Sequence, residues 1–378
     1  MGTFVYTDSM NYFYPFLFTF VLSIALTYVV RKLSFKWKIL SEPRARDIHK
    51  KPIPRIGGLA LFLSFFLVAI GLYLLDHHKL TFGYGYFFSI DKRFLGILLG
   101  GFLITAFMLF DDIKGLSAWK KLFLQIIVAL IVISCGIGIN YLSNPFGERI
   151  NLNTIYIPLF TYQGVVYHFS LLSDLLTLVW IVIMMNVINF VDGVDGLASG
   201  LSTIAFVTIF LLSISLAVTQ PATALVAIMM AGASAGFLVW NFPPAKIFMG
   251  DSGSMFLGFM LGVLPLISGG KLATVFLALG FPIVDGVIVA LARVAKGKNP
   301  VTSPDKTHLH HRFLAAGFSQ RQAVMVIYLI AIAFAWVALR STTSEKAIAG
   351  LVLFLLLVIL TIMLITIKNK RVAKGATE

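Results

Sequence analysis

The chain has 378 residues, of which 59% are apolar and only 12% charged, and its mean hydropathy is +0.93. Soluble domains carry about 25% charged residues, so the composition excludes a soluble protein and points to an integral membrane protein. Thirty Lys and Arg against sixteen Asp and Glu give a net charge of +14, an excess that membrane topology must account for before nucleic acid is invoked.

A helix needs about 20 mostly apolar residues to cross the hydrocarbon core. From the amino terminus, eleven segments qualify: 13–30, 57–75, 94–110, 121–139, 170–188, 197–217, 222–240, 253–267, 272–294, 323–339 and 347–367. Strands of a membrane β-barrel alternate apolar and polar residues over short stretches, and a run such as 347–367 does not. The expected fold is an all-α polytopic membrane protein of about eleven helices, with residues 1–378 forming one transmembrane domain. The first segment has neither a basic lead-in nor a small-residue cleavage site, so it reads as a retained helix. The single cysteine, Cys135, lies in an apolar run, which rules out a disulfide within the chain.

Eleven spans put the two termini on opposite sides. Twenty-three Lys and Arg fall in 31–56, 111–121, 241–252, 293–322 and 368–378, against seven on the other side. Basic residues are retained on the cytoplasmic side, so the amino terminus is expected outside and the carboxyl terminus in the cytoplasm. Topology then explains much of the charge, and no nucleic-acid partner is expected. Asp111, Asp112, Asp192, Asp195, Asp251 and Asp305 all fall in the cytoplasmic loops or at cytoplasmic helix ends. Carboxylates gathered against a basic rim suit a divalent cation and a phosphorylated ligand.

Five segments carry this chemistry. Basic, proline-bounded residues 43–58, from Pro43 to Gly58, fit either phosphate binding or contact with anionic headgroups. Asp111 and Asp112, followed by Lys120 and Lys121, repel each other unless a cation offsets them. They fit a Mg2+ site or, equally, two solvated residues ending a helix. Asn186, Asn189, Asp192 and Asp195 recur every third position. Nine residues at 100° each rotate by about 180°, so a straight helix cannot aim Asn186 and Asp195 the same way. Either the helix end tightens, or Gly193 and Gly196 break it and redirect Asp195; the alternative is helix capping. In residues 241–254, Pro243 and Pro244 end the seventh span, and Gly250 and Gly253 flank Asp251. The start of the eighth span there offers amide donors to an anion, unless Asp251 or Ser252 simply caps it. Finally His308, His310, His311 and Arg312 suit anion handling better than zinc, since histidines beside Lys306 and Arg312 make a poor cation site.

Asp285, inside the ninth span three residues after Pro282, sits about 12 Å from Arg293 along the helix. It is a functional candidate or a structural hydrogen bond at a proline kink, whereas Asp174 reads as structural. The chain has no Walker A motif, no GxGxxG and no glycosyltransferase-like DxD.

In their order and spacing, DDIKGLSAWKKL, NVINFVDGVDGLA, NFPPAKIFMGDSGS and PDKTHLHHRF resemble the polyprenyl-phosphate N-acetylhexosamine-1-phosphate transferase family, also called glycosyltransferase family 4. The resemblance runs from about Pro43 to Arg312. PDKTHLHH and the eleven spans are similar to the undecaprenyl-phosphate N-acetylglucosamine-1-phosphate transferase branch. Muramoyl-pentapeptide transferases carry three consecutive histidines and ten spans, and Leu309 interrupts that run here. The resemblance implies attack of a polyprenyl phosphate on UDP-N-acetylglucosamine (UDP-GlcNAc) at the cytoplasmic face of the bacterial inner membrane. The products would be polyprenyl-diphosphate-GlcNAc and UMP, with Mg2+ required and Mn2+ a substitute. It implies Asp251 and Asn189 as metal ligands, Asp111, Asp112 and Asp192 as catalytic residues, and Lys121 as a phosphate holder. Asp192, Asp195, Asn241 and Phe248 would line the nucleoside pocket. His308, His310, His311 and Arg312 would close over the diphosphate or sugar from the loop 295–322. The ninth span, interrupted at Pro282, resembles the family's broken helix beside the prenyl tail. The phenylalanine-rich faces (34 Phe) fit lipid or a subunit interface, which leaves a homodimer open. The rival readings are a muramoyl-pentapeptide transferase, a transporter of prenyl-linked or phosphorylated solutes, and a zinc-dependent lipid hydrolase. Transporters often show inverted repeats with midplane polar residues, whereas here the polar residues cluster toward one face.

Overall fold

The computed structural model describes residues 11–42, 52–83, 85–144, 147–162, 165–216, 218–267, 272–295, 297 and 309–375. The chain opens with α1 (Phe13–Lys36), and a short antiparallel pair, β1 (Leu40–Ser41) and β2 (Ile53–Pro54), leads into α2 (Gly58–Leu75). After a second pair, β3 (Tyr86–Phe87) and β4 (Ile90–Asp91), come α3 (Lys92–Lys114) and α4 (Ala118–Ser134). Two further pairs, β5 (Tyr141–Leu142) with β6 (Ile150–Asn151) and β7 (Tyr156–Tyr162) with β8 (Val165–Ser170), precede α5 (Leu171–Val191). There follow α6 (Leu197–Ser213), α7 (Pro221–Asn241), α8 (Gly250–Ile267), α9 (Leu272–Ala278) and α10 (Gly280–Ala295). The last helices are α11 (Leu309–Ala315), α12 (Gln320–Arg340) and α13 (Thr343–Gly375).

Each of the eleven predicted segments is occupied by a helix. Among the described residues, eight helices are long and apolar enough to cross a membrane, and the pair α9–α10 makes a ninth span if read as one broken helix. The remaining two, α4 and α6, have 17 residues each, at the short end of what can cross a bilayer. Helix α4 stops at Ser134, short of the expected 139, because Gly136 adopts φ +78° just past its end. A glycine in that left-handed conformation closes the last turn.

The break between α9 and α10 bends the path by 79°. It falls at Leu279, three residues before Pro282, because a proline ring collides with the carbonyl four residues earlier, here that of Ala278. The expectation of a wholly helical protein is corrected by the four short antiparallel pairs, of which β7–β8 is the longest. The strands β7 and β8 pair from Tyr156 against Ser170 to Tyr162 against Val165, in a stretch rich in aromatic and β-branched residues that favour strands. Asp174 then takes a structural role, its carboxylate accepting the Ser170 N–H at 2.8 Å where the strand turns into α5.

Helix α8 is the centre of the bundle: every residue in it except Asp251 is buried. Within a membrane, helices associate by close packing at small residues, and α8 has these on two sides. A Cβ on Gly258 would lie 2.6 Å from the Met184 carbonyl oxygen of α5, and a Cβ on Gly58 of α2 would strike the Gly253 backbone. Glycines 232 and 236 of α7 face the α1 backbone at Phe16 and Phe20 in the same way. With Gly100 and Gly101 of α3 packed on Phe259 and Phe256, these contacts set α2, α3 and α5 against α8. By contrast α13 leaves large side chains such as Ile348, Leu351, Ile359 and Met363 exposed, as a lipid-facing helix would.

Candidate active site

Helix α3 ends where Gly115 turns to φ +77°, and the Leu116 N–H folds back onto the Asp111 carboxylate at 2.6 Å. One turn into α4, Lys121 reaches back with its Nζ 2.6 Å from Asp111 Oδ2 and 2.5 Å from Asp251 Oδ2. The neighbouring Asp112 points the other way, into the start of α8. It accepts the Asp251 and Ser252 N–H groups at 2.9 and 3.0 Å and the Ser252 hydroxyl at 2.7 Å. The N-terminal amides of α8 are therefore held by Asp112 of α3, and neither Asp251 nor Ser252 acts as the cap. Arg55 completes the cluster, with Nε 3.3 Å from Asp112 Oδ1 and Nη2 3.9 Å from Asp251 Oδ1.

Gly250 makes this arrangement accessible. It sits at φ +71°, and a Cβ there would lie 2.5 Å from Asp112 Oδ2 and strike the Arg55 carbonyl oxygen. Arg55 is delivered by the backbone: the Phe248 N–H donates to the Pro54 carbonyl at 2.8 Å, and the Gly57 N–H donates to the Phe248 carbonyl at 2.9 Å.

Asp111, Asp112 and Asp251 each bring a carboxylate oxygen within 4.8 Å of the others, the one such group of potential metal ligands among the described residues. Three hard oxygen donors, with an ammonium already bridging two of them, are suited to a hard divalent cation such as Mg2+ or Mn2+. No histidine belongs to the group, which argues against zinc.

A second set of contacts joins two loops beside the carboxylates. Helix α5 runs to Val191, and Gly196 at φ +75° starts α6. The last turn of α5 tightens slightly, the Asp192 N–H being shared between the Ile188 and Asn189 carbonyls at 3.2 and 3.3 Å, and Gly196 then redirects the chain into α6. Asn241 Oδ1 accepts the Gly196 N–H and the Ser199 hydroxyl, both at 3.0 Å, while its amide donates to the Ile247 carbonyl at 3.0 Å. Asp195 Oδ2 accepts the Ala245 N–H at 2.9 Å. Asp192 is the residue just after α5. Burial, reinforced by the carboxylates of Asp251, Asp112 and Asp195, pushes its carboxyl well above the usual carboxylate range.

The structure thus brings together Asp111, Asp112, Lys121 and Asp251, with Asp192 near enough to feel their charge. Asn189, on the last turn of α5, donates its amide to Ser254 Oγ at 2.9 Å, one helical turn along α8 from Asp251. Asn186 turns aside to pair with Gln125 at 2.7 Å. Phe248 lies in the segment paired with residues 54–57. His310 lies against the other loop, since a Cβ on Gly193 would be 3.1 Å from its Nε2, and its ring is 4.4 Å from that of His311. Arg312 follows on α11. His308, Asp305 and residues 43–51 lie outside the described residues. Asp285 is buried and accepts the Leu309 N–H at 2.9 Å, so it ties the first residue of α11 to the helix after the break.

Sequence reasoning placed Arg55 only within the basic segment 43–58 and Ser252 only as a possible helix cap, and it did not single out Ser254 or Gln125. For Arg55 the available signal was Gly57–Gly58, a pair whose lack of side chains lets α2 meet α8. Nothing local marked the partners of the others, which are 61 to 140 residues away.

Residues 94–269 match the model of the family described as "Glycosyl transferase family 4". The chain is 32% identical over 92% of its length to a "Probable undecaprenyl-phosphate N-acetylglucosaminyl 1-phosphate transferase" of Bacillus subtilis, covering 90% of that protein. It is 36% identical over 79% of its length to a "Decaprenyl-phosphate N-acetylglucosaminephosphotransferase" of Mycolicibacterium smegmatis, covering 74% of that protein. A "Phospho-N-acetylmuramoyl-pentapeptide-transferase" of Staphylococcus carnosus is similar at 26% identity, over 83% of this chain and 93% of its own. A multi-pass helical protein whose loops converge on paired carboxylates, and which matches these enzymes over most of its length, belongs to glycosyl transferase family 4.

Proposed function

We propose that this protein is an undecaprenyl-phosphate N-acetylglucosamine-1-phosphate transferase, a single transmembrane domain that moves GlcNAc-1-phosphate from UDP-GlcNAc to a polyprenyl phosphate and releases UMP. The observation that carries the reading is the Asp111–Lys121–Asp251 triad: two carboxylates share one ammonium at the foot of α3, α4 and α8. Phosphoryl transfer depends mainly on positioning and charge neutralisation, and this triad offers both signs of charge at one point. Asp251 and Asn189 would hold Mg2+, which when bound neutralises charge developing on the departing UMP. Lys121 is the group that would turn from the carboxylates to a phosphate once that charge is supplied. Asp111, fixed by the Leu116 N–H, would orient the lipid phosphate or take its proton, and direct displacement suffices because that phosphate is already ionised. Asp112, with its oxygens engaged by α8 and Arg55, would hold the arrangement rather than react. Asp192 and Asp195 would meet the nucleoside, and the segment from His308 to Arg312 would close over the diphosphate.

The basic loops support placing this end of the bundle in the cytoplasm, with eleven spans and the amino terminus outside. The bent α9–α10 pair supports a groove in which the prenyl tail lies in lipid while its phosphate reaches the carboxylates.

The test is UMP release by purified protein with undecaprenyl phosphate, Mg2+ and UDP-GlcNAc, beside Asp251→Ala. UMP that requires both substrates and vanishes in the variant is the expected result. Release only from UDP-MurNAc-pentapeptide would assign the muramoyl branch, and none from either donor would overturn the proposal.

A further inference from the structure

Helix α12 carries none of the residues assigned above, yet it holds both loops that flank the carboxylates. Arg321 Nε donates to the Pro243 carbonyl at 2.7 Å, and the Tyr328 hydroxyl donates to the Gly196 carbonyl at 2.5 Å. The two side chains are seven residues apart, two turns along one face of the helix, so about 10 Å separates them. Gly200 fits this face because it has no side chain, since a Cβ there would strike the Tyr328 ring. The loops are themselves cross-linked by Asn241 to Gly196 and by Asp195 to Ala245. A four-point clasp results: two links join the loops, and α12 braces one point on each.

The brace also reaches the histidine segment. Helix α11 turns into α12 through Gly317 at φ +90°, and His310 of α11 lies against Gly193. The unit α11–α12 therefore touches the Asp192–Gly196 loop at both ends, at Gly193 and at Gly196.

We propose that Arg321 and Tyr328 are positioning residues for the sugar-nucleotide donor. They keep the Asp192–Gly196 and Asn241–Ala245 loops in register, so that α12 sets donor affinity without touching the donor. This rests on the reading of Asp192 and Asp195 as donor-side residues. Polar contacts to main-chain carbonyls of two loops suit such a role. Each fixes a backbone position, where an apolar contact would fix only a packing distance.

The experiment measures KM for UDP-GlcNAc, KM for undecaprenyl phosphate and kcat in Tyr328→Phe, Arg321→Ala and Arg321→Lys. Loss of one neutral hydrogen bond is worth about a fivefold change. The expected result is a donor KM raised about fivefold in Tyr328→Phe and about tenfold or more in Arg321→Ala, whose guanidinium makes a charge-assisted bond. Acceptor KM should stay unchanged and kcat within about twofold, with Arg321→Lys recovering most of the loss. An unchanged donor KM in Tyr328→Phe overturns the proposal. So does a fall in kcat with both KM values and the melting temperature shifting together, which would mark general loosening. Asp192→Ala separates the two layers of argument. If it leaves donor KM unchanged, the donor-side reading itself fails. If it raises donor KM while Tyr328→Phe does not, only the positioning role is lost.

Discussion

The two sides of the site are built on opposite principles. On one side Asp111, Asp112 and Asp251 crowd within 4.8 Å and are offset by Lys121 and Arg55. On the other, Asn241, Asp195, Gly196 and Tyr328 exchange hydrogen bonds largely with backbone. The first arrangement leaves three carboxylates against two cations, so it is completed by added positive charge. The second is nearly satisfied as it stands and is completed by shape. Chemistry that needs a cation would suit the first, and recognition of a neutral, planar or sugar-like group would suit the second. Removing a residue from the carboxylate side should therefore lower turnover, whereas removing one from the clasp should weaken donor binding.

Asp111→Asn is the sharpest way to break that contrast. It keeps the shape and the acceptor for the Leu116 N–H but removes one charge from the triad. Turnover should fall by more than about a hundredfold, the scale of a lost general base or charged orienting group, while donor KM changes little. Substantial retained activity would show that this carboxylate is not essential. Chelating the divalent cation from wild type should mimic the loss, and Mg2+ or Mn2+ should restore wild type but not the variant.

Gly250→Ala tests whether the carboxylate side depends on its backbone. The residue sits at φ +71° with Asp112 where a Cβ would go. A left-handed non-glycine residue costs roughly 1–2 kcal/mol, and the collision with Asp112 and the Arg55 carbonyl adds to it. The melting temperature should fall and turnover should drop with it, since Asp112 can no longer grip the start of α8. An unchanged melting temperature and full activity would mean that the α8 terminus is looser than its contacts imply.

Much of this was legible in the sequence, for reasons that differ by region. The eleven apolar runs and the aspartates at their ends follow from composition and local order, because a membrane helix satisfies its own backbone hydrogen bonds. The break at Leu279 was legible from Pro282. Partners were not. Arg55 meets Asp112 across 57 residues of sequence, and Tyr328 meets Gly196 across 132. No periodicity within α12 distinguishes a clasp from an ordinary tyrosine on a packed face. The strands β7 and β8 were missed because short runs of aromatic and β-branched residues between two long helices read as connection.

The smallest expected effect is at Asp192, where the two sides meet. Burial and, after it, the neighbouring carboxylates raise its pKa, which widens the pH range over which the neutral acid, a hydrogen-bond donor, is present. A neutral carboxyl is close in shape and charge to an asparagine side chain, so Asp192→Asn should leave donor KM within about threefold of wild type. Asp192→Ala, lacking any polar group, should weaken donor binding more. The pH dependence gives the sign. As pH rises through the raised pKa the wild-type carboxyl ionises, loses its proton to donate and adds a fourth negative charge to the cluster. Donor KM should climb on the alkaline side in wild type and stay flat in Asp192→Asn. Opposite behaviour, with the asparagine variant as damaged as alanine at every pH, would make Asp192 an anion during turnover. It would then act with the charged side of the site rather than with the clasp.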